Sequence, residues 1–152
     1  MDRILTTTAP SSSRNRLRVL HLEDASADRE IVREILETEG VVCDIQPVET
    51  REEFVAALEK GGIDLVLSDL ALPAFDGLSA LALVRAKCPE VPYIFVSGSM
   101  GEEAAIETIK SGATDYVLKD RLSRLAPAVR RAVAETKERE KRKRAEEALH
   151  KS

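Results

Sequence analysis

From Leu17 onward, hydrophobic positions recur in two alternating rhythms. Short apolar runs rich in branched residues predict strands at Leu17–Leu22 (LRVLHL), Val41–Val48 (VVCDIQPV), Ile63–Ser68 (IDLVLS), Val91–Ser97 (VPYIFVS) and Thr114–Leu118 (TDYVL). Between them the apolar positions take a helical period at Ala27–Glu39, Glu52–Lys60, Leu78–Lys87 and Glu102–Ser111. Local chemistry agrees with these boundaries. Thr50 followed by Glu53 is a capping box opening the second helix, and Gly40, Gly61 and Gly112 stand where helices end in a left-handed turn. The third run is nearly all apolar, as a central strand covered on both faces must be. Five strand–helix units in succession predict an α/β, doubly wound (βα)5 fold with a mainly parallel sheet.

The fifth helical segment behaves differently. It opens near Ser123, tolerates Pro127 in its first turns, and then runs on from Arg130 to His150 with neither Gly nor Pro. Every residue from Lys137 to Arg144 is charged (KEREKRKR), so this helix is expected to project beyond the domain. Its apolar positions, Val129, Val133, Ala145 and Leu149, sustain no heptad through that stretch. The predicted organisation is a leader over 1–16 (TTTAPSSSRNR and its flanks), a domain over 17–133, and a charged helical extension over 134–152.

Composition narrows the function classes. With 43% hydrophobic and 33% charged residues in 152, the chain is expected to be one soluble globular domain. It has no Trp and only 3% aromatic residues, which makes the core aliphatic. No run approaches the roughly 20 apolar residues of a membrane span, and no signal-peptide core precedes Leu17, so no membrane insertion is expected. Cys43 and Cys88 lack metal-ligand spacing, which points to a reduced, cytoplasmic protein. A net charge of −4 argues against general nucleic-acid binding, and the KRKR run at Lys141–Arg144 is flanked by glutamates.

In an open parallel sheet, chemistry gathers outside the carboxyl ends of the strands. There the sequence places Glu23 and Asp24 after strand one, Asp69 after strand three, Ser97 after strand four and Lys119 after strand five. Three carboxylates at close range repel one another unless a cation compensates. Mg²⁺ suits such an oxygen-rich site, and Lys119 adds a second positive charge. Asp69 can then act as a nucleophile toward phosphorus and form an acyl phosphate, with Ser97 donating to a phosphoryl oxygen. Taken singly, each residue also fits a turn, a cap or a solvated pair. Their joint placement on one rim is what points to chemistry. His21, inside strand one, is read as a packed or edge histidine rather than a ligand.

Over about Leu17 to Val133 the chain resembles the receiver domain of bacterial two-component response regulators. Asp69-Leu-Ala-Leu-Pro73-Ala-Phe-Asp76-Gly77 is similar to the phosphoacceptor loop, Glu23 and Asp24 to the acidic pair, Ser97 to the switch hydroxyl and Lys119 to the invariant lysine. Gly112-Ala113-Thr114-Asp115-Tyr116 resembles the stretch before that lysine, with Tyr116 at the aromatic switch position. The resemblance implies a flavodoxin-like sheet of order 2-1-3-4-5. It implies Mg²⁺ held by Asp24, Asp69 and the backbone carbonyl of Ala71, with Glu23 acting through water. Asp69 would take its phosphoryl group from a sensor histidine kinase or a phosphotransfer protein. Movement of Ser97 and Tyr116 would then restructure the surface of the fourth helix, fifth strand and fifth helix. The chain would be the N-terminal receiver of a larger regulator or hybrid kinase, controlling an output domain and pairing as a homodimer.

Two departures stand out. Asp120 follows Lys119 where the family usually has proline, so the loop after strand five is expected to be reshaped. SGSMGEE is glycine-rich, which predicts mobility before helix four. Two rival readings compete with this one. A haloacid-dehalogenase-like phosphatase needs a second aspartate two residues after the nucleophile, where this chain has Ala71. A phosphorylation-independent interaction module of the same fold would generally lack the acidic pair, the acceptor or the lysine, all of which are kept.

Overall fold

Each strand is returned to the same end of the sheet by a helix, so all run in one direction. The computed structural model describes residues 16–98 and 101–151. In chain order the elements are β1 (Leu17–Leu22), α1 (Ser26–Thr38), β2 (Cys43–Val48), α2 (Arg51–Lys60), β3 (Leu65–Ser68), α3 (Gly77–Lys87), β4 (Tyr93–Ser97), α4 (Glu102–Lys110), β5 (Asp115–Leu118) and α5 (Leu125–Lys151). The sheet is wholly parallel with order β2-β1-β3-β4-β5, the flavodoxin-like order. β1 pairs with both β2 and β3, aligning Leu22 with Val48 on one side and Ser68 on the other.

Alternation along the strands sends side chains to two apolar layers. Val19, Leu65, Leu67, Ile94, Val96 and Val117 face α1 and α5, meeting Val32, Leu36, Leu125 and Val129. Leu20, Leu22, Val66, Tyr93 and Phe95 face α2 and α3, meeting Phe54, Leu58, Leu81 and Val84. β3 is buried at all four positions, as its apolar run predicts. The Thr50–Glu53 capping box is present, and Gly40, Gly61 and Gly112 all take positive φ.

The strand runs were predicted too long at their starts. The ladders begin at Cys43, Leu65 and Tyr93 rather than at Val41, Ile63 and Val91. Val41 is nonetheless buried in the α1/α5 layer, and Ile63 and Val91 pack against the α2/α3 layer. The helices need apolar cover at the foot of the sheet beyond the last ladder hydrogen bond. α5 starts at Leu125, not Ser123, because a 3-10 segment over Lys119–Arg124 with a break at Arg121 (φ −133°, ψ 47°) precedes it. All peptide bonds among the described residues are trans. Of the predicted leader, only Arg16 is described; it pairs with Asp44 at 2.8 Å. Of the SGSMGEE stretch, for which mobility is expected, Ser99 and Met100 lie outside the described residues.

α5 packs on the sheet through Leu125, Ala126, Ala128, Val129 and Ala132. From Lys137 to His150 every residue is exposed. Three polar ties set its direction. Arg130 donates to the Glu39 carbonyl, Arg131 pairs with Asp115 (3.1 Å), and Lys143 pairs with Glu90 (3.1 Å). No helix among the described residues is long and apolar enough to cross a membrane.

α3 is opened by Asp76, whose carboxylate accepts from the Ser79 N–H and Ser79 hydroxyl, both at 2.9 Å. The Ser79 amide bond holds this carboxyl below the usual range. A value lower in the folded than the unfolded chain means the stabilisation is present above the ordinary carboxyl range and is lost as pH falls through the folded value. Asp76→Ala is therefore expected to cost about 1 kcal/mol at neutral pH, and Asp76→Asn much less, because both Asp and Asn accept at an N-cap. Urea unfolding should show the alanine deficit shrinking below about pH 4. A deficit unchanged by pH would mean that the cap does not depend on the ionised carboxylate.

Candidate functional site

The parallel arrangement delivers the carboxyl ends of β1, β3 and β5 to one rim. Asp69 leaves β3 with its N–H donated to the Leu22 carbonyl (3.0 Å), which locks it to the end of β1. Its Oδ1 accepts from the Leu70 N–H at 2.7 Å, and its Oδ2 accepts from Lys119 Nζ at 3.0 Å. Glu23 is 1% exposed, with Oε2 accepting from the Ala25 N–H (3.1 Å) and Oε1 paired with Lys119 at 2.9 Å. Arg29 steadies this corner by donating to the Glu23 backbone carbonyl at 2.8 Å.

Lys119 has a third partner, Asp28 Oδ2, at 2.7 Å. The ammonium thus serves three carboxylates from three elements. Burial alone would lower its pKa, but the hydrogen bonds to Asp28, Glu23 and Asp69 outweigh burial and hold it above its ordinary value. Burial pushes the Glu23 carboxyl up, and the Lys119 bond opposes that rise. Just beneath, His21 is 1% exposed, and its Nδ1 lacks a hydrogen-bond partner among the described residues. Burial first, then the nearby charges of Lys119 and Arg29, push it down to about 4, so it is a neutral, packed imidazole near pH 7.

The loop from Asp69 to Gly77 is fixed from behind. Ser68 Oγ donates to the Asp69 carbonyl (2.7 Å), the Gly77 N–H to the Leu70 carbonyl (3.1 Å), and the buried Tyr93 hydroxyl to the Gly77 carbonyl (3.0 Å). Gly77 has no room for a side chain. A Cβ there would run into the Asp69 carbonyl oxygen and stand 2.6 Å from the Phe95 ring.

Ser97 is buried at the end of β4, in register with Leu118 next to Lys119. Tyr116 is half-buried against the α2/α3 layer. Glu23, Asp69 and Lys119 are thus brought together, whereas Asp24 and Ala71 are exposed on the adjoining loops. The sequence reading did not include Asp28. An acidic residue in the first turn of a helix is ordinary, because it faces the positive end of the helix dipole, so nothing singled it out.

The donor chemistry fits a hard cation. Glu23 and Asp69 place anionic oxygens within 3.0 Å of one ammonium, leaving negative charge in excess. Among the described residues no three His, Cys, Asp or Glu side chains form a ready cage. Mg²⁺ needs none, since it usually binds one or two carboxylates and keeps several waters.

A family model, the response regulator receiver domain, matches residues 19–130. The chain belongs to this family. Among curated relatives of this receiver, a protein-glutamate methylesterase/protein-glutamine glutaminase from Paramagnetospirillum magneticum is 30% identical over 73% of the chain and 30% of its own length. The DNA-binding transcriptional regulator NtrC from Proteus hauseri is 30% identical over 64% of the chain and 20% of its own length. The receiver thus spans less than a third of these relatives. Among solved structures, NtrX from Brucella abortus superposes with a TM-score of 0.76 at 26% identity, covering 86% of this chain and 29% of that one.

For this receiver, Gly77→Ala is expected to destabilise by about 1–3 kcal/mol, because the added methyl must displace the Asp69 carbonyl or the Phe95 ring. Urea unfolding measures it. A change below about 0.5 kcal/mol would mean that the loop yields freely and that the Asp69 carbonyl and Phe95 ring do not close off the space at Gly77.

Proposed function

We propose that this receiver accepts a phosphoryl group on Asp69 from a sensor histidine kinase or phosphotransfer protein and passes its state to an output domain. The observation that carries this reading is the Lys119 ammonium held at 3.0 Å from Asp69 Oδ2, with the other Asp69 oxygen fixed by a backbone N–H. An Asp69 oxygen attacks phosphorus, the bond from phosphorus to the donor nitrogen or oxygen breaks, and its electron pair leaves with the donor. The product is an acyl phosphate whose new negative charge faces Lys119.

Glu23, Asp24, Asp69 and the Ala71 carbonyl are the groups that would hold Mg²⁺, which when bound neutralises charge on the transferring phosphoryl group. Ser97 would turn its hydroxyl to a phosphoryl oxygen, and Tyr116, half-buried at rest, would move inward and alter the α4–β5–α5 surface. The receiver assists its own phosphorylation and hydrolysis and turns over no metabolite. In this reading the protein works in the cytoplasm, without nucleic-acid contact of its own. Its receiver stands ahead of the output domain, as part of a larger regulator or hybrid kinase.

Two experiments test the reading. Intact mass after incubation with Mg²⁺ and a small acyl phosphate is expected to rise by one phosphoryl group in wild type and not in Asp69→Asn. Labelling of the asparagine variant, or none of a folded wild type, would overturn the assignment. Pairing of two copies along the projecting half of α5, where Leu149 is 75% exposed, belongs to the same reading. Truncation at Arg139 is then expected to halve the particle mass in light scattering, and monomer masses for both chains, with and without a phosphate mimic, would remove the dimer.

A further inference from the structure

We propose that Asp28 is a positioning residue that acts through Lys119, restraining it in the resting state and slowing phosphorylation. The inference rests on the reading of Asp69 as the acceptor. An ammonium has three protons to donate, and here each has a carboxylate partner: Asp28 at 2.7 Å, Glu23 at 2.9 Å and Asp69 at 3.0 Å. When a phosphoryl group arrives on Asp69 it brings new anionic oxygens, and Lys119 can meet one only by releasing a partner.

The three partners are not equally free to leave. The Glu23 side chain is 2% exposed and pinned through its other oxygen to the Ala25 N–H. Released, it would be a buried charge without compensation. Asp69 is the reacting group itself. Asp28 is 35% exposed in the first turn of α1, where water and the unpaired N–H groups of the helix start can take over its charge. Asp28 is therefore the partner that yields, and its bond to Lys119 competes directly with the phosphoryl oxygens. Its removal leaves Lys119 oriented by Glu23 and Asp69, so the acceptor keeps its cation.

The test is a double-mutant cycle on the full chain, with acetyl phosphate as donor and initial labelling rates read by intact mass. Asp28→Asn is expected to label about three- to tenfold faster than wild type, as loss of one charge-assisted bond to Lys119 allows. Asp28→Glu, which restores the charge, is expected to return the rate toward that of wild type. In a Lys119→Met background, Asp28→Asn is expected to change the rate by less than about twofold, since the competition it relieves is gone. Thermal melts establish that each variant is folded. Unchanged or slower labelling of Asp28→Asn, with wild type labelling normally, overturns the proposal and leaves the acceptor assignment standing. Equal acceleration in both backgrounds overturns it too, because Asp28 would then act by bulk repulsion and not through Lys119. Failure of wild type to label overturns the acceptor reading and this inference with it.

Discussion

Like charges cannot share a rim without a counter-ion, and in this fold that counter-ion is one side chain. Lys119 arrives from the end of β5 and meets carboxylates from the ends of β1 and β3 and from the first turn of α1. The cluster thereby joins residues as far apart in sequence as Glu23 and Lys119. Its partners are themselves held by backbone donors, Glu23 by Ala25 and Asp69 by Leu70. The acceptor is thus poised by charge from the front and by the Ser68, Gly77 and Tyr93 hydrogen bonds from behind. Neither half of this arrangement would position Asp69 alone: the ammonium ends a flexible side chain, and the loop supplies no cation.

Much of this was legible in the chain before any coordinates. The alternation of apolar runs with helical periods places all five strands, and the nearly all-apolar IDLVLS marks the centre of the sheet. Once strand ends are known, the rim residues Glu23, Asp69, Ser97 and Lys119 can be read off, because a parallel sheet sends every carboxyl end the same way. Strand starts were less legible. Val41, Ile63 and Val91 are apolar to seal the foot of the sheet, and a pattern of burial cannot tell sealing from ladder pairing.

Asp28 and Tyr93 were not singled out because their roles are pairwise and long-range. In sequence Asp28 is one acid among many at a helix start, and Tyr93 is one apolar residue in a buried strand. Only the folded chain brings Asp28 to Lys119 and the Tyr93 hydroxyl to the Gly77 carbonyl. His21 marks the opposite case. Its position inside an apolar strand predicts a packed residue, and it lies buried and neutral beneath the charged cluster.

The projecting part of α5 has a mechanical consequence. The helix is 27 residues long and is tied near its base by Arg130 and Arg131 and further along by Lys143. At 1.5 Å per residue it is a rod of roughly 40 Å, so each degree of tilt at the sheet displaces its tip by roughly 0.7 Å. Arg131 grips Asp115 at the start of β5, the strand that ends one residue before Lys119. A lever seated on that strand turns a shift too small to separate two packed side chains into a displacement of its tip by whole ångströms.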